Sequence, residues 1–303
     1  MKRLNASPLS RAVQAGIALA LLALVVCVVL PTAAPGGDEP PAPAAKKGAL
    51  LITIVYDNYP FDERLETDWG FACVVEGTEK TILFDTGGKG DVLLGNMRKL
   101  KIDPKTIDAV VLSHGHTDHT GGLEAFLQAN GGVKVFIPKA FSKRLEAVVR
   151  KSGAALVETE GPTKICEGAW TTGVLDGAIP EQGIYLSSAG GPVVVTGCAH
   201  PGIVKLAAAA RAHARKPVFV VLGGWHMGGA SRPQIQTVIE GLKGLGVRRV
   251  APTHCCGNDT RRLMKEAFGE GYMPSGVGAR LPFEDQRDQV PLGQSLDGLV
   301  CGP

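Results

Sequence analysis

The sequence predicts an α/β fold, and three observations predict it. Short β-branched apolar runs alternate with helix-like stretches along most of the chain. The stretch 50–283 has the length and apolar content of one domain with ample core. Chemistry-bearing histidines stand where apolar runs end, as expected when strands deliver side chains to one edge of a sheet. In order, strands are expected at Leu50–Tyr56, Phe71–Glu76 and Thr81–Phe84, then a helix through Met97 to Leu100. A strand at Ala109–Leu112 and a helix at Leu123–Gln128 follow, then a strand at Val133–Ile137, a helix at Phe141–Lys151 and a strand near Leu156. The second half opens with strands at Ile184–Ser187 and Val193–Thr196 and continues helix, strand, helix, strand, helix through Phe268. Residues 284–303 show no periodicity and read as an irregular tail.

The N-terminus reads as a targeting segment. Lys2, Arg3 and Arg11 precede an unbroken apolar run from Ala15 to Leu30, and Pro31-Thr-Ala-Ala34 offers small residues for cleavage. Extended back to Ala12, the run holds Gln14 as its one polar residue, long enough for an uncleaved helix. Residues 1–34 are therefore expected to be a signal peptide or a membrane anchor. A lipoprotein signal fits poorly, because Val26 rather than a small residue precedes Cys27. Residues 35–49 read as a Pro/Ala-rich linker. The expectation is an exported protein, periplasmic or extracellular, or tethered to the outer face of the cytoplasmic membrane.

Charge argues against nucleic acid as a partner. The formal net charge of +3 equals the three basic residues of the first 34, a stretch without acids, so the remainder is balanced. A chain without a net basic field lacks the electrostatic driving force for a polyanion. A small-molecule substrate is the expected partner, and the sequence sets no oligomeric state. The cysteines after the leader, Cys73, Cys166, Cys198, Cys255, Cys256 and Cys301, form no recognisable disulfide framework.

Six of the seven histidines fall in four short stretches: His114, His116 and His119 in Ser113-His-Gly-His-Thr-Asp-His119, then His200, His226 and His254. In an extended segment residues two apart face the same way, so His114 and His116 can present two imidazoles to one ion. Asp118 and His119 can turn toward a second. Two ions roughly 3.5–4 Å apart on His and carboxylate ligands form a site that binds and ionises water for attack. Two divalent ions are expected, with zinc the best match and manganese or iron suited to the same ligands. His213, inside the Ala-rich stretch 207–214, is read as an ordinary helix residue.

His-x-His-x-Asp-His after a strand resembles the signature of the metallo-β-lactamase superfamily, and Leu83-Phe-Asp-Thr-Gly87 resembles its first motif. The longer pattern comprises Tyr56-Asp-Asn58, Trp69-Gly-Phe71, Leu93-Leu-Gly-Asn-Met97, Glu181-Gln182, Thr196-Gly-Cys-Ala-His-Pro-Gly202, Gly223-Gly-Trp-His226 and Pro252-Thr-His-Cys-Cys-Gly257. It is similar to the branch named after the archaeal dihydropterin-ribofuranosyl-aminobenzene phosphate synthase, across roughly residues 50 to 283. The resemblance implies an αββα sandwich, two sheets face to face with helices outside. It implies that Asp85 buttresses the metal loop without binding metal and that His254 is the final ligand, on the second ion. A separate third-motif histidine is missing, which leaves His200 as its replacement. Cys198 stands where a metal-bridging aspartate is expected. It is either a bridging thiolate or a small buried cysteine. For His226 the resemblance implies a proton donor to the leaving group, with metal ligand and structural residue as the other readings. The superfamily's di-iron flavoproteins carry glutamate where this chain has His116, which argues against a redox role.

The expected function is thus hydrolysis, or a related transfer, at a phosphate-ester or acyl centre, by a hydroxide shared between two metal ions, with Asp118 and His226 catalytic. An exported lactonase or β-lactamase-like hydrolase is the second enzyme reading. A tethered metal-binding interaction domain is the non-enzyme reading.

Overall fold

The computed structural model describes residues 49–140 and 143–283. The expected leader, the linker through residue 48 and the tail lie outside the described residues, as does the start of the helix expected from Phe141.

The first half of the chain forms β1 (Leu50–Tyr56), β2 (Ala72–Glu76), β3 (Ile82–Phe84), β4 (Ala109–Val111), β5 (Lys134–Pro138) and β6 (Ala155–Thr159). The second half forms β7 (Lys164–Cys166), β8 (Ala169–Thr171), β9 (Ile184–Leu186), β10 (Val193–Thr196), β11 (Val220–Gly223) and β12 (Arg249–Pro252). A last strand, β13 (Arg280–Phe283), crosses back to pair with β1. The sheet orders are β13-β1-β2-β3-β4-β5-β6 and β12-β11-β10-β9-β8-β7. Strands β3 to β6 run parallel, as do β10 to β12, and the remaining pairs are antiparallel.

Alternation along each strand assigns its residues to layers. Ile52, Ile54, Phe84 and Val111 of the first sheet meet Ile184, Val193, Val195 and Leu222 of the second in one apolar core. The intervening residues point outward: Leu83, Val110 and Val135 on one side, Val194, Val221 and Val250 on the other. Each outer face is covered by helices. The first sheet receives α1 (Gly90–Lys99), α3 (Leu123–Ala129) and α4 (Lys143–Ser152), with the single turn α2 (Thr117–Thr120) between α1 and α3 in sequence. The second receives α5 (Ile203–Ala214), α6 (Arg232–Gly244) and α7 (Asn258–Phe268). The helix α6 shows how the sequence does this. Ser231 and Gln234 form a capping box, Pro233 sits in the first turn, and Ile235, Ile239 and Leu242 repeat at helical spacing on the buried face. Strands buried on both faces need no polar alternation, which is why they read as continuous apolar runs.

The four layers are the αββα sandwich. No helix among the described residues is long and apolar enough to cross a membrane.

Candidate metal centre

The site lies at the C-terminal ends of the parallel strands of both sheets. From the first sheet come Asp85 after β3 and the His114–His119 loop after β4. From the second come Cys198 and His200 after β10, His226 after β11, and His254 with Cys255 after β12. Gly197 lets the two sheets close here: a Cβ on it would stand 2.1 Å from Ser113 Oγ and 2.9 Å from Asp85 Oδ2. Asp85, Ala199, His226 and His254 adopt φ of +57°, +57°, +50° and +50°. Such backbone costs roughly 1–3 kcal/mol per residue and persists where its surroundings over-determine it.

His116 sits on extended backbone where the chain turns into α2, two residues after His114. Their rings lie 4.7 Å apart, with His114 Nε2 3.1 Å from His116 Nδ1. The turn swings Asp118 and His119 to another side, and Thr86 fastens it by donating from N (2.8 Å) and Oγ1 (2.9 Å) to the carbonyl of His119. Two groupings of ligand atoms result, each within 4.8 Å: His114, His116 and His200 in one, Asp118, His119, Cys198 and His254 in the other. Cys198 also groups with His200 and His226, so its thiol lies between the two clusters.

Partners behind the ligands fix which nitrogen faces inward. Asp85 is fully buried. Its Oδ1 accepts from Ser113 N at 2.7 Å, and its Oδ2 accepts from Ser113 Oγ at 2.7 Å and lies 2.8 Å from His119 Nδ1. That leaves His119 Nε2 toward Cys198 Sγ, at 3.2 Å. Removing either member of the Asp85–His119 pair would strand the other in the core, at a cost of about 3–5 kcal/mol. His254 Nδ1 is 2.9 Å from Asn58 Oδ1, and Thr253 Oγ1 donates to the buried Asp57 at 2.6 Å. His200 Nδ1 is 2.8 Å from Glu181 Oε2.

Electrostatics divide the two clusters. Burial, helped by the positive His119, holds His114 down at about 2, and burial lowers His116 as well. Both rings are neutral near pH 7. Burial also works against a charge on His119, but the carboxylates of Asp85 and Asp118 outweigh it and hold its imidazolium up to about 10. Burial would likewise raise Asp118, yet the neighbouring His119 and His254 keep its carboxyl well below the usual range. The Cys198 thiol is pushed far up, by its hydrogen bond with Cys255 and by burial. Glu181, despite burial, is kept ionised down to about 2 by His200 and its other donors.

The residues fit metal ions on two counts. The Nε2 atoms of His200 and His254 are buried without a hydrogen-bond partner, an arrangement that costs free energy unless an acceptor of their lone pairs arrives. The donor set is imidazole, one carboxylate and one thiol, which suits zinc and neighbouring transition ions.

A sequence profile of the metallo-beta-lactamase superfamily matches residues 70–260, more than half of the chain and every residue of both clusters. The chain belongs to the metallo-beta-lactamase superfamily. It is 28% identical over 282 residues to the 7,8-dihydropterin-6-methyl-4-(beta-D-ribofuranosyl)-aminobenzene-5'-phosphate synthase of Methanocaldococcus jannaschii, covering 77% of this chain and 96% of that one. Among solved structures, a metal-dependent hydrolase of the beta-lactamase superfamily aligns with TM-score 0.64 and 26% identity, over 77% of this chain and 98% of that one. The metallo-beta-lactamase fold protein YhfI from Bacillus subtilis shares the fold, with TM-score 0.59 at 13% identity over 78% of this chain and all of that one.

The structure brings together all the sequence-predicted site residues: His114, His116, Asp118, His119, Cys198, His200, His226 and His254. His213 stays apart, on α5, where its Nδ1 hydrogen-bonds the hydroxyl of Tyr185. Four residues that carry no role in the sequence reading stand behind the clusters: Asp57, bonded to Thr253, and Asn58, bonded to His254, Glu181 behind His200, and Gln182 beneath the His114 loop. Their signal was present in the family-like pattern. Their partners, however, are brought close only by the meeting of the two sheets.

Proposed function

We propose that this protein is a metal-dependent hydrolase, or a closely related transferase, acting at a phosphate-ester or acyl centre of a small molecule. The observation that carries this reading is the pair of ligand clusters at the strand ends of both sheets, with the Cys198 thiol in one and also grouped with His200 of the other. His114, His116 and His200 would hold one ion, and Asp118, His119 and His254 the other, with Cys198 reaching both. Bound there, the ions supply activated water and polarise the substrate's oxygen.

The chain's own residues do the rest. Asp118 orients what arrives between the clusters, its Oδ2 lying 3.5 Å from His119 Nε2 and 3.4 Å from His254 Nε2. His226 is exposed, and its ring lies 4.6 Å from that of His200. Its hydrogen bond and charge interaction with Cys255 hold its pKa above the ordinary value, which favours its protonated form. An exposed imidazole at the edge of the centre, biased toward its protonated form, is placed to protonate a leaving group.

The synthase relative, by its name, forms a phosphate-bearing product. That favours the phosphate-ester reading over the lactone one. The N-terminal segment supports export, which would separate this chain from cytoplasmic pterin intermediates, so the relative's substrate is not carried over.

The test is a chelation and reconstitution assay against phosphodiesters, phosphomonoesters, lactones and β-lactams. Activity on one class, lost with a chelator and restored by one divalent ion, is expected. A chain that binds ions yet turns over none of the panel would favour a metal-binding interaction domain.

A further inference from the structure

We propose that Glu181 is the positioning residue that turns His200 into a metal ligand, and that with Gln182 it sets the first metal cluster across the two sheets. The inference rests on the reading that His114, His116 and His200 hold an ion.

The strand β10 by itself does not explain how a chain without a separate third-motif histidine builds that cluster. Beyond Thr196 the chain must leave the sheet and present Cys198 and His200 toward different clusters. Glu181 dictates that turn. Its Oε1 accepts the backbone N–H groups of Cys198 and Ala199 at 2.9 and 2.8 Å, and its Oε2 accepts that of His200 at 2.9 Å. Three consecutive amides converge on one carboxylate, an anion-binding nest made possible by the left-handed φ of +57° at Ala199. The same Oε2 is 2.8 Å from His200 Nδ1, which donates to it. A donor at Nδ1 leaves the lone pair on Nε2, the buried atom with no hydrogen-bond partner.

The next residue faces the other sheet. Gln182 donates from its backbone N to the carbonyl of Ser113 at 3.0 Å and from Nε2 to that of Leu112 at 2.9 Å. These carbonyls belong to the residues immediately before His114. Glu181 and Gln182 thus tie the loop of the third histidine and the loop of the first two to adjacent positions of one chain. Leu175 anchors the pair, exchanging backbone hydrogen bonds with Glu181 at 2.9 and 3.2 Å. Both side chains are fully buried, so water cannot replace either set of bonds.

The full chain, as wild type, Glu181→Gln and His200→Ala, tests this. Glu181→Gln keeps the volume and one acceptor oxygen but removes the carboxylate that holds His200 Nδ1–H. Thermal unfolding first establishes that each variant is folded. In titrations with cobalt(II), wild type should bind two ions. Glu181→Gln should bind one as wild type does and the other about 10–100-fold more weakly, the usual loss when a partner behind a ligand is removed. The d–d absorption that disappears should be the one that disappears in His200→Ala. A folded Glu181→Gln that binds both ions with wild-type affinity and spectrum would overturn the assignment.

A second measurement does not depend on metal. Ring ¹⁵N spectra of the ion-free wild type should show His200 as the Nδ1–H tautomer, and the Nε2–H tautomer would overturn the proposal even if Glu181→Gln failed to fold. Should wild type bind no ion while His200 shows the Nδ1–H tautomer, the metal reading fails and the positioning by Glu181 stands.

Discussion

Cys198 Sγ lies 3.2 Å from His119 Nε2, the nitrogen that Asp85 leaves facing into the centre. The thiol therefore occupies the space between clusters where the superfamily-like pattern expects a carboxylate. It also contacts Cys255 Sγ at 3.4 Å, and both cysteines are free thiols.

This geometry makes the two readings of Cys198 testable. As a ligand, it should give cobalt-substituted protein a thiolate-to-metal absorption band in the near ultraviolet. Cys198→Ala should lose that band and weaken at least one ion by about tenfold or more. Cys198→Asp should lose the band yet keep two ions. Unchanged binding and spectrum in Cys198→Ala would make it a small buried cysteine.

The two clusters should respond differently to pH. Metal needs unprotonated ligands. His119, held up to about 10, and the Cys198 thiol, pushed higher, both keep their protons near pH 7. Ion affinity at their cluster should therefore rise with pH, by about tenfold per unit for each proton displaced. His114, held at about 2, and His116, also lowered, have no proton to give up above neutrality, so apart from the shared Cys198 proton their cluster should depend less steeply on pH. Competition titrations against a chelator at several pH values will separate a steeper from a shallower component. Two components of equal slope would refute the assignment.

His226→Ala should keep the metal content and lower turnover about 10²–10⁴-fold, the usual contribution of a positioned acid or base. The loss should shrink for nitrophenolate leaving groups, which need no proton. Loss of one ion per chain would instead make His226 a ligand, in keeping with its grouping with Cys198 and His200.

The leader is tested separately. A reporter active only after export, fused after Lys47, should be active, because the basic N-terminus and the run Ala15–Leu30 have the form of a secretory segment. Activity of a cytoplasmic reporter at that position would reverse the export reading and return pterin intermediates to consideration.

The parts legible in sequence were those with a local signal. Strands such as Val193–Thr196 declare themselves because both faces are buried, and His114 and His116 because two-residue spacing puts them on one side. The short strands β7 and β8 and the closing strand β13 were not anticipated. The strands β7 and β8 span three residues each, and Pro282 interrupts the pattern of β13. The helix α5 begins at Ile203, four residues before the Ala-rich stretch, because Ile203 and Leu206 face the same buried side as Ala207 and Ala210. Roles for Glu181, Gln182 and Asn58 could not be read, since each acts on a partner distant in sequence. Asn58 meets His254 across 196 positions.

The central claim is a centre for two ions, and counting them tests it most directly. Elemental analysis of the full chain, loaded with zinc or manganese and freed of loose ions, should find close to two per chain. The paired substitution His116→Ala with His119→Ala strikes one ligand in each cluster and should leave far less. A folded wild-type chain with no transition ion after loading, or a double variant that retains two, would contradict the account.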